Sequence, residues 1–423
     1  MSKNNPAKIK YVRRLLQDLL LKYLSKPEIL AIVGPRQSGK TTLLKQIFKS
    51  LKNAVYIDFE DRDILKIFNN DIKTFYNLYC KQAKYLFIDE FQYAREGGKS
   101  LKYLYDTHKI KIIISGSSAL DLTHQALKYL VGRIFVFTLF PFSFAEYLSY
   151  VNPALYEIYS KFKNQIERLY EGTKKKPPSI SRELIDKIYE YYQDYVIFGG
   201  YPRVVLSKDK EEKLTVLKNI YNTYFLREIR DILQLGSEDA LYKLIKAVAL
   251  QIGSSVNYNE LCQITGLNYN NLLKHLNILE KTFVIKKLTP FCKNKRTEIL
   301  KTPKIYFLDN GFRNLVVNNF QRIDERVDRG VLNENFIAGQ IVAKENNLHY
   351  WRTKAGAEVD FVIEKDAKII AIEVKSTLIS NKFSRAILSF REKYSPYRTI
   401  MISEKYLSFD RENNILFLPA FFI

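Results

Sequence analysis

Cysteine is scarce in this chain, with Cys80, Cys262 and Cys292 as the whole complement. They lie too far apart for a metal knuckle and are too few for a disulfide scaffold, so a reducing cytoplasm is the compartment expected. Long uncharged apolar runs are also missing, and without one no helix is expected to span a bilayer and no membrane partner is predicted. The N-terminal run "YVRRLLQDLLLKYL" is amphipathic but broken by Arg, Gln, Asp and Lys, unlike a secretory signal. No internal repeat and no extended low-complexity segment is present. Acidic residues run short: 45 Asp and Glu against 67 Lys and Arg leave a net charge of +22. Lysine is scattered along the chain rather than gathered in a tail, and this excess favours a polyanionic partner, DNA foremost.

What is present begins with "ILAIVGPRQSGKTTLLKQIF". Five apolar residues lead into Gly34, then Pro35, Arg36, Gln37 and Ser38 separate it from Gly39, and Lys40, Thr41 and Thr42 open a run with helical spacing. This is G-x-x-x-x-G-K-[ST] in the strand, loop, helix context that the pattern requires. The glycines let the loop curl round phosphates, so that backbone N–H groups and the helix N-terminus face a polyanion. Lys40 is then expected at the β- and γ-phosphates of ATP and the Thr41 hydroxyl on Mg²⁺.

Five apolar runs, "EILAIV", "NAVYID", "KYLFID", "IKIIIS" and "RIFVFTL", alternate with helical patterns. Alternating βα units of this kind predict a parallel sheet covered on both faces. The third run closes on Asp89 and Glu90, where Asp89 is expected to hold Mg²⁺ and Glu90 to orient or deprotonate the attacking water. Ser117, after the fourth run, is a candidate for the γ-phosphate or the water, with a helix cap as its alternative. Arg133, before the fifth, is a candidate for charge stabilisation at a neighbouring subunit's nucleotide, which would imply a homo-oligomer; its alternative is a surface ion pair.

The motifs "GPRQSGKTTLL", "YLFIDEFQ", "GSSAL", "VGR" with "LFPFSFAEY", and "FGGYPRVV" resemble a widespread family of predicted AAA+ superfamily ATPases of archaea and bacteria with a C-terminal domain of unknown function. The resemblance runs over nearly the whole chain. It implies the AAA+ strand order and, for Gly200, Tyr201 and Pro202, similarity to a G-x-P element with which switch-type relatives touch adenine.

Further on, "GSSVNYNELCQITGLNYNNLLKHLNILEKTFVIKKLTPF" reads as two helices round a turn at Thr265 and Gly266 and then a β pattern, the order of a winged helix-turn-helix. Asn270, Asn271, Lys274 and His275 are its expected exposed residues, and "CKNKR" its phosphate-binding wing.

The last hundred residues carry a second constellation. "GAEVDFVIEKDAKIIAIEVKS" predicts two paired strands with Asp360 on the first and Glu373 and Lys375 on one face of the second. Glu334, upstream in a helical pattern, is placed to add a third carboxylate. The spacing is similar to that of restriction-endonuclease-like PD-(D/E)xK folds, which implies Mg²⁺ or Mn²⁺ at Glu334, Asp360 and Glu373 and a hydroxide oriented by Lys375.

The expected class is α/β: an AAA+ core with its N-terminal helix over residues 1–150, a helical lid over 151–236, a winged helix over 237–312, and a nuclease-like domain over 313–423. The expected function is a Mg²⁺-dependent ATPase acting on DNA, with metal-dependent DNA cleavage left open. The alternatives are a nucleotide-controlled switch on a protein partner, or a DNA motor whose C-terminal domain only grips.

Overall fold

The computed structural model describes residues 11–423 apart from 95, 117–126, 171–175, 234–237, 293–297, 299–300, 345–346, 366–367 and 378–382. The five apolar runs form strands β1 (Ile29–Val33), β2 (Ala54–Asp58), β3 (Tyr85–Asp89), β4 (Lys111–Gly116) and β5 (Ile134–Thr138). All pair in parallel in the order β2-β3-β4-β1-β5. Alternate residues of β1 enter different cores, as the pleat requires. Ile29, Ala31 and Val33 pack with Phe59, Ile88 and Leu101, while Leu30 and Ile32 pack with Leu20, Leu43 and Ile47. Both faces are therefore apolar, which is why β1 reads as an unbroken hydrophobic run.

After the sheet, "FPFSFAEY" leads into the helices Phe144–Val151 and Pro153–Tyr170, then Arg182–Phe198. Ser143 and Glu146 form a capping box at the start of the first. Tyr189, Tyr192 and Tyr195 of the third are buried, so this tyrosine-rich run serves packing rather than base stacking.

The helices Asp239–Leu250, Tyr258–Thr265 and Tyr269–Lys281 precede an antiparallel pair, β6 (Ile285–Leu288) and β7 (Lys304–Phe307). Leu272, Leu276 and Leu279 line the buried face of the third helix, and Asn270, Asn271 and Lys274 are exposed. His275 corrects the sequence reading. It is buried with its Nδ1 2.7 Å from the Asn271 carbonyl, one helical turn back, and burial lowers its pKa. Of the wing "CKNKR", only Cys292 lies among the described residues.

The C-terminal sheet has β8 (Leu348–Arg352), β9 (Glu358–Lys365), β10 (Lys368–Val374), β11 (Arg398–Ser403), β12 (Ser408–Asp410) and β13 (Ile415–Pro419) in the order β12-β13-β11-β10-β9-β8. Strands β10, β11 and β13 are parallel, and β9 pairs antiparallel with β10. One face is covered by the helix Arg385–Tyr394 through Ile387 and Phe390. The other shares a single core with the helices between Phe144 and Phe198 and with the three-helix segment, in which Tyr192, Phe336, Phe361 and Leu418 all take part. The boundary drawn at 312/313 cuts through the helix Asn310–Val316, which is capped by Asp309 and packs into this shared core.

Candidate functional site

The loop after β1 is built by two glycines, Gly34 for want of space and Gly39 for its left-handed backbone. Gly34 has φ 149°, and a Cβ there would stand 2.2 Å from the Leu139 carbonyl oxygen. Gly39, at φ 96°, opens the helix Lys40–Lys49. Lys40 is buried and its Nζ donates to the Gly34 and Pro35 carbonyls, each at 2.9 Å. Ser38 is fully buried, and its Oγ has no hydrogen-bond partner. Thr41 is half-buried, while Arg36, Gln37 and Thr42 are exposed.

Asp89 closes β3 at the same edge of the sheet and is held from three directions. Tyr56 OH donates to its Oδ2 at 2.6 Å, the Glu90 backbone N–H to its Oδ1 at 3.1 Å, and the Ser115 hydroxyl also to Oδ1. Burial and the Asp89 carboxylate push the Tyr56 hydroxyl well above its ordinary pKa, so it stays a donor. Glu90 adopts φ 52°, a left-handed conformation rare for a residue with a side chain, and its carboxylate accepts from Gln92. Strain of this kind concentrates at functional sites. An orphaned buried hydroxyl, a cradle too tight for a Cβ and an oriented carboxylate together fit a nucleotide phosphate with Mg²⁺.

Two other segments close on this loop. Arg14, which the N-terminal run hid as one basic residue among several, is buried. It donates to the Ser38 carbonyl at 2.7 Å, the Phe140 carbonyl at 2.6 Å and Glu146 Oε1 at 3.0 Å, tying the N-terminal helix, the loop and the lid entrance together. Pro202 stands beside Gly39, its Cγ 3.8 Å from where a Cβ on that glycine would be. The turn before it is fixed from elsewhere in the chain. Asp309 Oδ2 accepts from the Gly200 N–H at 2.8 Å and its Oδ1 from the Phe312 N–H at 3.0 Å.

Two calls stand differently. Ser117 lies outside the described residues, and the serine that touches Asp89 is Ser115, two positions earlier. Arg133 sits at the amino end of β5, since Ile134 pairs with Ile29 while the loop leaves the far end of β1. Five residues of strand put it about 16 Å from the phosphate edge of its own chain. Its guanidinium pairs with Asp106 at 2.8 Å, the surface ion pair that was its alternative reading.

In the C-terminal domain, β9 and β10 pair with Phe361 opposite Ile372, and continuing that register sets Asp360 opposite Glu373. Asp360 Oδ2 accepts from the Val374 N–H at 2.8 Å, and Lys375 Nζ meets Glu373 Oε1 at 2.7 Å. Glu373 is also held by the Ser384 hydroxyl at 2.7 Å. Burial, then the neighbouring Glu334, raises the Asp360 pKa, and burial raises that of Glu334. Glu334 accepts from Tyr306 OH and lies 3.7 Å from Lys304 Nζ, both on β7. Among the described residues, no three His, Cys, Asp or Glu side chains stand close enough to hold a metal ion. Asp360, Glu373 and Lys375 share one neighbourhood at the β9–β10 pairing, and Lys304 stands beside Glu334. Lys304 and Asp309 lie in "KIYFLDNGF", a landmark of the family that the sequence resembles, but neither was singled out there as a site residue.

A protein-family model described as "AAA domain" matches residues 26–148, and two described as domains of unknown function match 189–322 and 329–422. The first span carries the loop, Asp89 and Glu90, so this part of the chain has an ATPase-like P-loop fold and is similar to AAA domains. An uncharacterized protein of Methanocaldococcus jannaschii is 26% identical, covering 99% of this chain and 89% of that protein. One of Haemophilus influenzae is 23% identical over 96% and 95%. Among solved structures, a Walker-type ATPase of Pyrococcus abyssi aligns at 16% identity with a TM-score of 0.46, covering 73% of this chain and 96% of that one. No described helix is long and apolar enough to cross a membrane.

Proposed function

We propose that this chain binds and hydrolyses ATP and uses the nucleotide state to control how its winged-helix segment and C-terminal nuclease-like domain engage DNA. The observation that carries the reading is the contact series from Gly39 to Pro202 and from Gly200 to Asp309, because it places the phosphate loop one short turn from the core shared by both C-terminal parts.

The backbone N–H groups from Arg36 to Thr41 hold the phosphates, and Lys40 exchanges its two loop carbonyls for phosphate oxygens. Thr41 and Asp89 would hold Mg²⁺, whose charge offsets that on the β- and γ-phosphates. Tyr56, Ser115 and the Glu90 N–H keep both Asp89 oxygens in place. Glu90 orients the attacking water and takes its proton, and Gln92 positions the Glu90 carboxylate. Pro202 meets the base and reports whether the site is filled.

The net charge of +22 and the exposed Asn270, Asn271 and Lys274 support DNA as the partner. Asp360, Glu373, Lys375 and Glu334 have the order of a PD-(D/E)xK site. The second reading is a domain that grips DNA without cutting it, supported by Lys304, whose ammonium pairs with Glu358 and stands 3.7 Å from Glu334. The test is ATP turnover with and without linear, branched and supercoiled DNA, alongside cleavage in Mg²⁺ or Mn²⁺. Turnover that no DNA stimulates, with no DNA bound, would leave only the protein-partner switch.

A further inference from the structure

Lys304 is a lysine that the fold has buried inside another domain's acidic site. It begins β7, on the hairpin after the three-helix segment, and is 2% exposed. Its ammonium pairs with Glu358, at the start of β9, and stands 3.7 Å from Glu334 and 5.4 Å from the centroid of the Tyr350 ring. Burial alone would lower its pKa, but Glu334, Glu358 and Asp360 outweigh this and hold it above the ordinary lysine value. Tyr306, two residues along and on the same strand face, donates to Glu334, and a Cβ at Gly253 would stand 3.2 Å from Glu334 Oε1. Residues of the preceding segment thus surround Glu334, and a fixed positive charge lies where the carboxylates face one another.

A divalent cation at Glu334 and Asp360 would need oxygens that Lys304 already neutralises, and it would sit close to a buried like charge. We propose that Lys304 is a tethered counter-ion that keeps the C-terminal carboxylate site closed to divalent metal while β7 stays docked. This rests on reading Glu334, Asp360, Glu373 and Lys375 as a nuclease-like site. The release route is built into the same strand. From Lys304 the chain runs through Phe307 and Leu308 to Asp309, whose carboxylate holds Gly200 beside Pro202 and the phosphate loop. A lid that moves with nucleotide therefore pulls on the segment that carries the lysine. An ion pair that joins two parts of the chain is a bistable element of the kind that switches use.

The test is Mn²⁺ binding by the full, nucleotide-free chain, followed by electron paramagnetic resonance and calorimetry. Lys304→Met should gain one Mn²⁺ per chain, roughly tenfold tighter or more than wild type, and adding Asp360→Asn should abolish it. Because Lys304→Met strands buried carboxylates and could unfold, Lys304→Met with Glu358→Gln removes one charge of each sign and keeps the remaining ligands. Equal Mn²⁺ affinity in wild type and in either folded variant overturns the proposal, as does an Asp360-dependent Mn²⁺ site in wild type. A variant that gains Mn²⁺ but cuts no DNA upholds the counter-ion role and overturns the nuclease reading instead.

Discussion

The backbone N–H of Gly200 donates to the Asp309 carboxylate at 2.8 Å across a sequence separation of 109 residues, and both groups are buried. Gly200 is required here because a Cβ would lie 2.1 Å from the Phe142 carbonyl oxygen. The bond joins the turn beside the phosphate loop to the start of the helix Asn310–Val316. Five expectations follow from this and the neighbouring geometry.

Lys40→Ala should abolish ATP hydrolysis and weaken ATP binding, whereas Glu90→Gln should keep binding and slow turnover roughly a hundredfold or more. One residue supplies charge to the phosphates and the other handles the water, so binding of a labelled nucleotide and steady-state turnover should separate them. Unchanged turnover in Lys40→Ala would remove the phosphate-cradle assignment.

Asp309 carries a pH signature. Burial pushes its carboxyl from 3.8 up to about 6, against the backbone hydrogen bonds from Gly200, Phe312 and Gly311. Between those two pH values the native chain holds a proton that the unfolded chain has lost. Its contribution to stability is therefore complete below about pH 4 and is lost as the pH rises through about 6, about 3 kcal/mol in all. The stability difference between wild type and Asp309→Asn, from urea unfolding, should shift by that order across this window in favour of the variant and stay flat above about pH 7. A constant difference throughout would mean that Asp309 titrates like an ordinary carboxyl.

Arg14→Ala should destabilise the chain by about 3–5 kcal/mol, because it leaves Glu146 buried and unpaired. Arg14→Lys should not restore stability, since a compact ammonium cannot span the Ser38, Phe140 and Glu146 acceptors together. Thermal unfolding of both variants checks this, and full rescue by lysine would show that charge alone matters.

Arg133→Ala should leave turnover per chain within about twofold and barely change stability, as expected for a partly exposed ion pair with Asp106. Turnover that falls further, and recovers on mixing with Glu90→Gln chains, would instead assign Arg133 to a neighbouring subunit's nucleotide.

DNA affinity should fall steeply as salt rises, since phosphate contacts by lysines and arginines release counter-ions. Asp360→Ala should leave that affinity nearly intact, because removing a carboxylate takes away no phosphate contact. Filter binding over a salt series tests both, and salt-independent binding would point away from a phosphate-tracking surface.

Local spacing was enough to place the glycine loop after β1, the five strands of the first sheet, and the two neighbouring strands that carry Asp360 and Glu373, while their register had to be assumed. These features depend on backbone torsions and on which residues share a face, and both are set within a few positions of chain. His275 shows where that reasoning stops, because helical periodicity alone did not say that its side of the helix would be covered. Arg133 shows the same for strands: its place in sequence was right, but only the parallel pairing with β1 decided which edge of the sheet it occupies. Arg14, Lys304 and Asp309 were invisible for a different reason. Each is a single ionisable residue with at least one partner tens to hundreds of positions away, and no spacing rule connects those pairs before the chain has folded. The tertiary structure alone decided that Asp309, from the C-terminal half, anchors the turn at Gly200 and that Lys304 of one segment pairs with Glu358 of the next.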